Sequence, residues 1–175
     1  MLCPVNPLTT ARLRLIPASA DILDADLSLQ VHGIDAALRY LLNVGPIVEW
    51  PPTGSDHDIN AVEYFRSNVP QGSAGEAWYA YYVCLGKDLL GSAGFFGPPS
   101  NDEVEIGYSI CEIHRRKGYA SEAVGALVDK ARNSGVLRVR ARTVPDNQAS
   151  IDLLMKAGFA EREAEDGHRL FVKSL

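Results

Sequence analysis

Apolar residues recur along this chain with two spacings, and each spacing predicts one kind of element. A recurrence every three to four residues is typical of a helix that packs one face on a core. It predicts helices over Asp21–Leu42 (one helix, or two with a break at Gly33), over Ile59–Val69, after Gly118, and from Asn147 to Gly158. Alternation, or a short run of aromatic and β-branched residues, predicts strands. These strands are Thr10–Ile16, Trp78–Leu85, Leu89–Phe96, Glu103–Cys111, Leu137–Thr143 and Arg169–Lys173.

The order of these elements predicts an α/β (α+β) fold with a mixed, mostly antiparallel central sheet flanked by helices. The helix after Gly118 is expected to be a crossover that links the Glu103–Cys111 strand to the Leu137–Thr143 strand. The 175 residues are enough to bury one sizeable core. No repeat or linker divides them, so we expect a single domain over residues 1–175.

A short basic turn between the Glu103–Cys111 strand and the next helix is the stretch that most strongly suggests chemistry. Arg115, Arg116 and Lys117 precede Gly118, and the helix follows directly. The first turn of a helix presents unpaired N–H groups and partial positive charge, and glycine lets a ligand approach the backbone closely. The turn is therefore a candidate phosphate or pyrophosphate site. A solvent-exposed helix start without a ligand explains the same residues, and both interpretations stay open at this point.

Composition narrows the classes of partner. The formal net charge of −5 argues against nucleic acid and is compatible with a cationic substrate such as an amine. The three cysteines lack metal or CxxC spacing and are expected to be reduced, and the four histidines have no metal-ligand spacing, so we propose no metal. The chain has neither a signal-peptide pattern nor an apolar run of membrane-spanning length. We therefore expect a cytoplasmic protein with no membrane partner.

Two motifs resemble those of one enzyme family. Arg115, Gly118 and Ala120 match the Arg/Gln-x-x-Gly-x-Gly/Ala signature of GNAT-type (Gcn5-related) N-acetyltransferases. The segment from Asn147 to Phe159 looks like the Asn-x-x-Ala/Ser…Gly-Phe segment of the same family. The chain is therefore similar to GNAT enzymes at two separate points that occur in the right order.

Further segments are similar to the ribosomal-protein alanine N-acetyltransferase (Rim) branch of that family. They are Ser150, Thr10–Leu15 and Glu105–Tyr108. The resemblance spans nearly the whole chain and is weakest over residues 43–76. It implies the acyl-CoA N-acyltransferase (GNAT) fold, with a central sheet of six to seven strands.

The resemblance also implies a reaction and a co-substrate. The reaction is direct transfer of an acyl group from acetyl-CoA to a primary amine, on a small molecule or a protein N-terminus. The loop at Gly118 would cradle the pyrophosphate, and a main-chain N–H near Ile110 would face the thioester oxygen. Asn147 also suits a plain helix N-cap. The cofactor-binding residues implied in this way are Ile110, Arg115, Arg116, Lys117, Gly118, Tyr119, Ala120 and Asn147.

Two residues are the candidate catalytic groups. Glu105 shares its strand face with Gly107 and Ser109, whose small side chains leave room for an acyl group or an amine, and it is the candidate base. Ser150 is the candidate acid for the leaving thiolate, because Leu154 stands where many GNAT enzymes carry a tyrosine and cannot donate a proton. Each has an ordinary alternative, an exposed strand carboxylate for Glu105 and a capping hydroxyl for Ser150.

Two other functions fit the same sequence. A non-catalytic module that senses acyl-CoA would explain the missing tyrosine, and a nucleotide-binding protein would use the loop at Gly118. Thiol release from acetyl-CoA with a panel of amines, together with thermal shifts in CoA and ATP, separates the three functions. The sequence leaves open the acceptor, the acyl-chain length and the oligomeric state, monomer or homodimer.

Overall fold

A computed structural model defines residues 6–53, 57–69 and 78–175 of the chain. Within these ranges, eight strands form one sheet. The strands are β1 (Leu8–Thr9), β2 (Arg14–Pro17), β3 (Ala80–Leu85), β4 (Asp88–Phe95), β5 (Glu103–Ile110), β6 (Arg138–Thr143), β7 (Ala160–Glu165) and β8 (His168–Ser174). The α-helices of the same ranges are α1 (Ala20–His32), α2 (Ala36–Leu42), α3 (Ile59–Asn68), α4 (Tyr119–Asn133) and α5 (Gln148–Lys156).

The strand order is β1-β2-β3-β4-β5-β6-β8-β7, and β5–β6 is the parallel pair among antiparallel neighbours. The β5–β6 pairing runs from Glu103 only as far as Ile106, which lies opposite Ala141. Beyond this point β5 stays paired with β4 as far as Ile110, and β6 stays paired with β8 as far as Thr143. Beyond Ile106 and Ala141 no pairing joins the two strands, which the structure describes in full, and we call the place between their C-terminal ends the cleft.

Helices cover both faces of the sheet, and each face has its own core. Leu127 of α4 is fully buried on one face, and Leu23 of α1 is fully buried on the other. Strand side chains alternate between the two cores, with Tyr81 in the first and Tyr82 in the second. The described ranges contain no helix able to span a bilayer.

The helix predictions are confirmed, including the crossover between β5 and β6. The region predicted as one or two helices is two, because Gly33 ends α1 in the left-handed conformation with φ 69°. The N-cap of α5 is Asn147, as predicted, and its side chain accepts a hydrogen bond from Ser150 N.

The strand predicted over Thr10–Ile16 is confirmed from Arg14 onward, as β2, and is wrong over Thr10–Leu13. Thr10 N donates to Leu13 O at 3.0 Å and Leu13 N donates to Thr10 Oγ1 at 2.8 Å, which closes a turn between β1 and β2. A threonine side chain that bonds its neighbouring backbone competes with strand pairing, and the alternating pattern does not reveal this. With β1 and β7 included, the sheet has eight strands instead of the predicted six to seven.

Candidate active site

One wall of the cleft is the main chain of β5. Glu105 O accepts from Phe96 N at 3.1 Å, and Cys111 N donates to β4 at 2.8 Å. Main-chain groups of alternate residues therefore face β4, and in an antiparallel ladder the groups between them face the other way. The main chain of Tyr108 and Ile110 thus faces the cleft. This edge can hydrogen-bond an extended ligand.

The first turn of α4 follows the C-terminal end of β5. Gly118 is its N-cap with φ 81°, and Arg116 is also left-handed with φ 61°. A Cβ on Gly118 would lie 3.4 Å from Arg12 Nη2, in a backbone conformation that side chains rarely adopt. Lys117 Nζ donates to Ile113 O at 3.1 Å. The leading N–H groups of this 15-residue helix have no partner within the helix, so the turn is able to bind an anion.

Glu122 ties the start of α4 to the turn between β1 and β2. Its carboxylate accepts hydrogen bonds from the Thr10 hydroxyl, from Arg12 N at 2.9 Å and from Arg12 Nε at 2.7 Å. Arg12 Nη1 also donates to Lys117 O at 3.2 Å, and the guanidinium lies 4.7 Å from the centre of the Tyr119 ring. Burial acts to raise the pKa of Glu122, but the bonds from Thr10 and Arg12 outweigh it and lower the pKa. A distant segment of the chain thus holds the loop in place.

Arg115 is exposed, and its side chain hydrogen-bonds two main-chain carbonyl groups. Its Nε donates to Ile110 O at 2.8 Å, and its Nη2 donates to Thr53 O at 2.6 Å. Glu49, on the same loop as Thr53, accepts from the first two N–H groups of the short 3₁₀-helix Glu112–His114, at 2.8 and 3.3 Å. Burial acts to raise the pKa of Glu49, but these backbone bonds outweigh it and lower the pKa. The loop before α3 is therefore fastened to the turn before α4.

The N-terminal turn of α5 brings a pair of hydroxyl groups together. Asn147 Oδ1 accepts from Ser150 N at 3.2 Å, and Tyr108 OH lies 2.7 Å from Ser150 Oγ. Burial raises the pKa of Tyr108, with the bond to Ser150 acting in the opposite direction. Leu154, one turn further along α5, is fully buried and has no hydroxyl. The predicted acid Ser150 therefore stands next to the half-buried phenol of Tyr108.

Glu105 lies on the other face of β5 and is paired with arginine. Its Oε2 is 3.0 Å from Arg140 Nε, and its Oε1 is 2.8 Å from Arg142 Nε. The next carboxylate on this face, Glu103, meets Arg138 in the same way at 3.3 Å. Both oxygens of Glu105 face guanidinium groups, whose positive charge favours the ionised carboxylate and so opposes its taking a proton. Its role as the base stays a prediction.

A small cavity lies on this face between β4, β5 and α3. Its volume is about 60 Å³, and its lining includes His57, Phe65, Ser92, Gly94, Gly107 and Ser109. Side chains on β4 and β5 are small here, and a Cβ on Gly107 would lie 3.0 Å from the Phe96 ring. Two water molecules occupy about this volume in the liquid, so the cavity suits a group of a few atoms.

A fully buried carboxylate stands behind His57. Asp26 of α1 faces His57 Nε2 at 2.7 Å, and it accepts hydrogen bonds from Trp50 Nε1 at 2.6 Å, Gln30 Nε2 at 2.9 Å and Tyr82 OH at 2.5 Å. Burial acts to raise the pKa of Asp26. The bond and charge of His57, with the bonds of Tyr82 and Gln30, outweigh it and hold the pKa below its usual value. Asp26 thereby holds Trp50 and His57 against α1 and β3.

Comparison with known proteins shows the family of this chain. The model of the Acetyltransferase (GNAT) domain matches residues 12–160. The chain belongs to the GNAT acetyltransferase family. A Bacillus subtilis (strain 168) protein named Uncharacterized N-acetyltransferase YjdG is 36% identical over 172 residues, which are 94% of this chain and 97% of the relative. This GNAT protein is therefore an acyltransferase.

Solved structures agree at the level of the fold. An acetyltransferase from Agrobacterium tumefaciens superposes with a TM-score of 0.66 at 19% identity, covering 99% of this chain and 96% of the other. Mycobacterium smegmatis RimJ in complex with CoA-disulfide superposes with a TM-score of 0.62 at 18% identity, covering 93% and 81%. The chain therefore has the fold of GNAT enzymes, and RimJ is among the structures that share it.

In this GNAT acetyltransferase, most of the predicted site residues lie around the cleft. They are Ile110, Arg115, Gly118, Tyr119, Ala120, Asn147 and Ser150. Glu105 lies apart from them, on the face of β5 away from Tyr108. Arg116 and Lys117 are exposed beside the first turn of α4.

Sequence reasoning missed the contributions of Tyr108, Asp26 and His57. Asp26 did carry a signal, because it follows Ile22 and Leu23 at helical spacing and so belongs to the apolar stripe of α1. A charged residue in such a stripe is seldom buried without partners. The sequence shows only that Tyr108 lies on the opposite face of its strand from Glu105. Its partner, Ser150, is 42 residues away in the chain.

Proposed function

We propose that this protein transfers the acetyl group of acetyl-CoA directly to a primary amine, on a small molecule or at a protein N-terminus. The observation that carries the proposal is the divergence of β5 from β6 beside the first turns of α4 and α5. This arrangement offers an anion site at one end, a hydrogen-bonding edge in the middle and a hydroxyl at the other end. The free, buried thiols of Cys84 and Cys111 suit a reducing compartment, so we place the reaction in the cytoplasm.

Acetyl-CoA would bind along this path. Its diphosphate would accept from the first N–H groups of α4 and lie close to the backbone of Gly118. The exposed side chains of Arg116 and Lys117 add positive charge at that point. The pantetheine arm would follow the edge from Tyr108 to Ile110 and pass Asn147, which brings the thioester to the place where the strands separate.

Positioning would supply most of the catalysis. Holding the thioester and the amine together contributes on the order of 7–11 kcal/mol, more than any single side chain. The main-chain N–H of Ile110 faces the cleft and would stabilise the oxyanion that forms on the thioester carbonyl. The amine would enter from the face that carries the small cavity, on the side of Gly107 and Ser109.

The need for a base depends on the amine. At pH 7 an α-amine with a pKa of about 7.8 is uncharged in about one molecule in seven, whereas a lysine-like amine with a pKa of about 10.4 is uncharged in about one in 2,500. An α-amine therefore reacts without much help. A lysine-like amine would require Glu105 to take the proton, against the positive charge of its arginine partners.

Replacing Glu105→Gln is expected to lower kcat/KM by about 10²–10⁴-fold for a lysine-like acceptor and by less than about tenfold for an α-amine. Both values are measured with acceptors that the wild-type protein acetylates. The matched control is Glu103→Gln, two residues away on the same strand face and paired with Arg138 at 3.3 Å and with Arg140 at 3.6 Å. Small and equal losses with both amines would remove Glu105 from the mechanism.

The proposal itself is tested by incubating the protein with acetyl-CoA and a panel of amines. Thiol release and the mass of the acetylated amine are followed together, and CoA binding is measured by calorimetry in parallel. We expect CoA binding and turnover of at least one amine. Tight CoA binding without turnover of any amine would contradict the transferase. Stabilisation by ATP but not by CoA would contradict the co-substrate.

A further inference from the structure

We propose that Tyr108 is a positioning residue that orients the Ser150 hydroxyl as the hydrogen-bond donor to the sulfur of the leaving thiol. This inference rests on the proposed function, because it assigns a donor to the leaving group of that reaction. The observation that carries it is the 2.7 Å contact between Tyr108 OH and Ser150 Oγ, at the point where β5, β6 and the start of α5 meet.

The hydrogen bond between the two hydroxyl groups uses only one of their two protons. Each hydroxyl has one proton to donate, and the bond between Tyr108 and Ser150 uses one of the two. Among the residues that the structure defines, neither oxygen makes a second side-chain or main-chain hydrogen bond. The remaining O–H is therefore free to donate to a ligand atom in the cleft.

Either oxygen could be the donor across this contact, and we take Tyr108 as the donor. A serine in the first turn of a helix often bonds its own backbone, but here the hydroxyl of Ser150 meets the phenol instead. Tyr108 is half-buried and its phenol is protonated at neutral pH, and a phenol O–H is more acidic than a serine O–H and therefore the stronger hydrogen-bond donor of the two. With Tyr108 as the donor to Ser150 Oγ, the Ser150 proton is the one that points elsewhere. Leu154 cannot supply a donor.

The step that this donor assists is balanced without a further reactant. The amine nitrogen attacks the thioester carbon, the C–N bond forms, and the C–S bond breaks with its electron pair on sulfur. The Ser150 O–H donates a hydrogen bond to the sulfur as negative charge develops there. The amine loses one proton and the thiolate gains one, and these protons exchange through solvent. Tyr108 and Ser150 end the step as they began it.

A binding experiment tests the proposal without any acceptor. CoA and desulfo-CoA differ at the sulfur, so the ratio of their affinities as a function of pH reports the pKa of the bound thiol. In the wild-type protein we expect this pKa to lie about one pH unit below the value near 8.5 that is usual for a thiol. In Tyr108→Phe and Ser150→Ala it should return to the usual value, while Ser150→Thr should retain the shift. Equal affinity ratios at every pH in the wild-type protein would overturn the proposal.

Turnover provides the second readout. Tyr108→Phe and Ser150→Ala should each lower kcat by about tenfold or more with KM for acetyl-CoA nearly unchanged, and the double variant should be no worse than Ser150→Ala. Tyr40→Phe, on the exposed surface of α2, is the control for loss of a phenol and should change nothing. Additive losses in the double variant would show that the two residues act separately. If no amine is turned over, the proposed function fails, but the desulfo-CoA comparison still decides whether Tyr108 orients a donor toward sulfur.

Discussion

Replacing Asp26 with alanine is expected to lower the free energy of unfolding by about 3–5 kcal/mol. Four side chains contact the carboxylate in the wild-type protein and would lose this partner: His57, Trp50, Gln30 and Tyr82. Two of these, His57 and Tyr82, are buried, so water does not readily replace the carboxylate. The measurement is urea unfolding at neutral pH.

Two control variants separate the lost carboxylate from the lost volume. Asp26→Asn keeps one oxygen for Gln30 and Trp50 and should cost less than Asp26→Ala. Asp24→Ala removes an exposed carboxylate from the same helix, paired with Arg66 on the surface, and should cost less than about 1 kcal/mol. A loss in Asp26→Ala no greater than that in Asp24→Ala would contradict a structural role for the buried carboxylate.

The ionisation of Asp26 is also expected to make the stability of the protein depend on pH. The folded pKa of Asp26 lies below its usual value near 3.8, so its ionised form is favoured by folding. This contribution is fully present above the unfolded pKa and is lost as the pH falls through the folded pKa. The wild-type protein should therefore lose stability below about pH 4 more steeply than Asp26→Asn, which has no proton to bind at this position. Parallel acid curves would contradict the assignment.

Gly118→Asp is expected to weaken CoA binding by about 30- to 300-fold, whereas Gly118→Asn should weaken it by no more than about fivefold. Both side chains are tolerated in the left-handed conformation that this position has, so the backbone cost is similar. Aspartate alone adds negative charge where the diphosphate would lie. The measurement is calorimetric titration with CoA.

Gly135 provides the matched control, because it also has a positive φ, 78°, with open space around its Cβ position, and lies just beyond the other end of α4. Gly135→Asp and Gly135→Asn should bind CoA equally well. If Gly118→Asp and Gly118→Asn bind CoA with the same affinity, the diphosphate lies elsewhere and the proposed path of acetyl-CoA is wrong.

The parts of the fold that sequence predicts well are those with local causes. The apolar stripe of α4, the left-handed Gly33 and the Asn147 cap each depend on residues within a few positions, and all three are present. The turn at Thr10 also has a local cause, a side-chain hydrogen bond to Leu13, but it interrupts an alternating pattern that would suit a continuous strand.

The same difference between local and distant causes separates the predictable from the unpredictable parts of the site. The loop before α4 is predictable because glycine, basic residues and the helix start adjoin in sequence. The contacts of Glu105 with Arg140 and Arg142, and of Tyr108 with Ser150, join residues 35 or more positions apart. Alternation shows which face of β5 each residue occupies, but the partner across the sheet or the cleft depends on register, which periodicity does not specify.

Arg115 and Glu49 join the loop before α3 to the turn before α4, which in the proposed function would be the acceptor side and the CoA side. If one ligand shifts both segments, the two substrates would be thermodynamically linked. Such linkage is reciprocal: the bound amine changes the affinity for CoA by the same factor by which bound CoA changes the affinity for the amine.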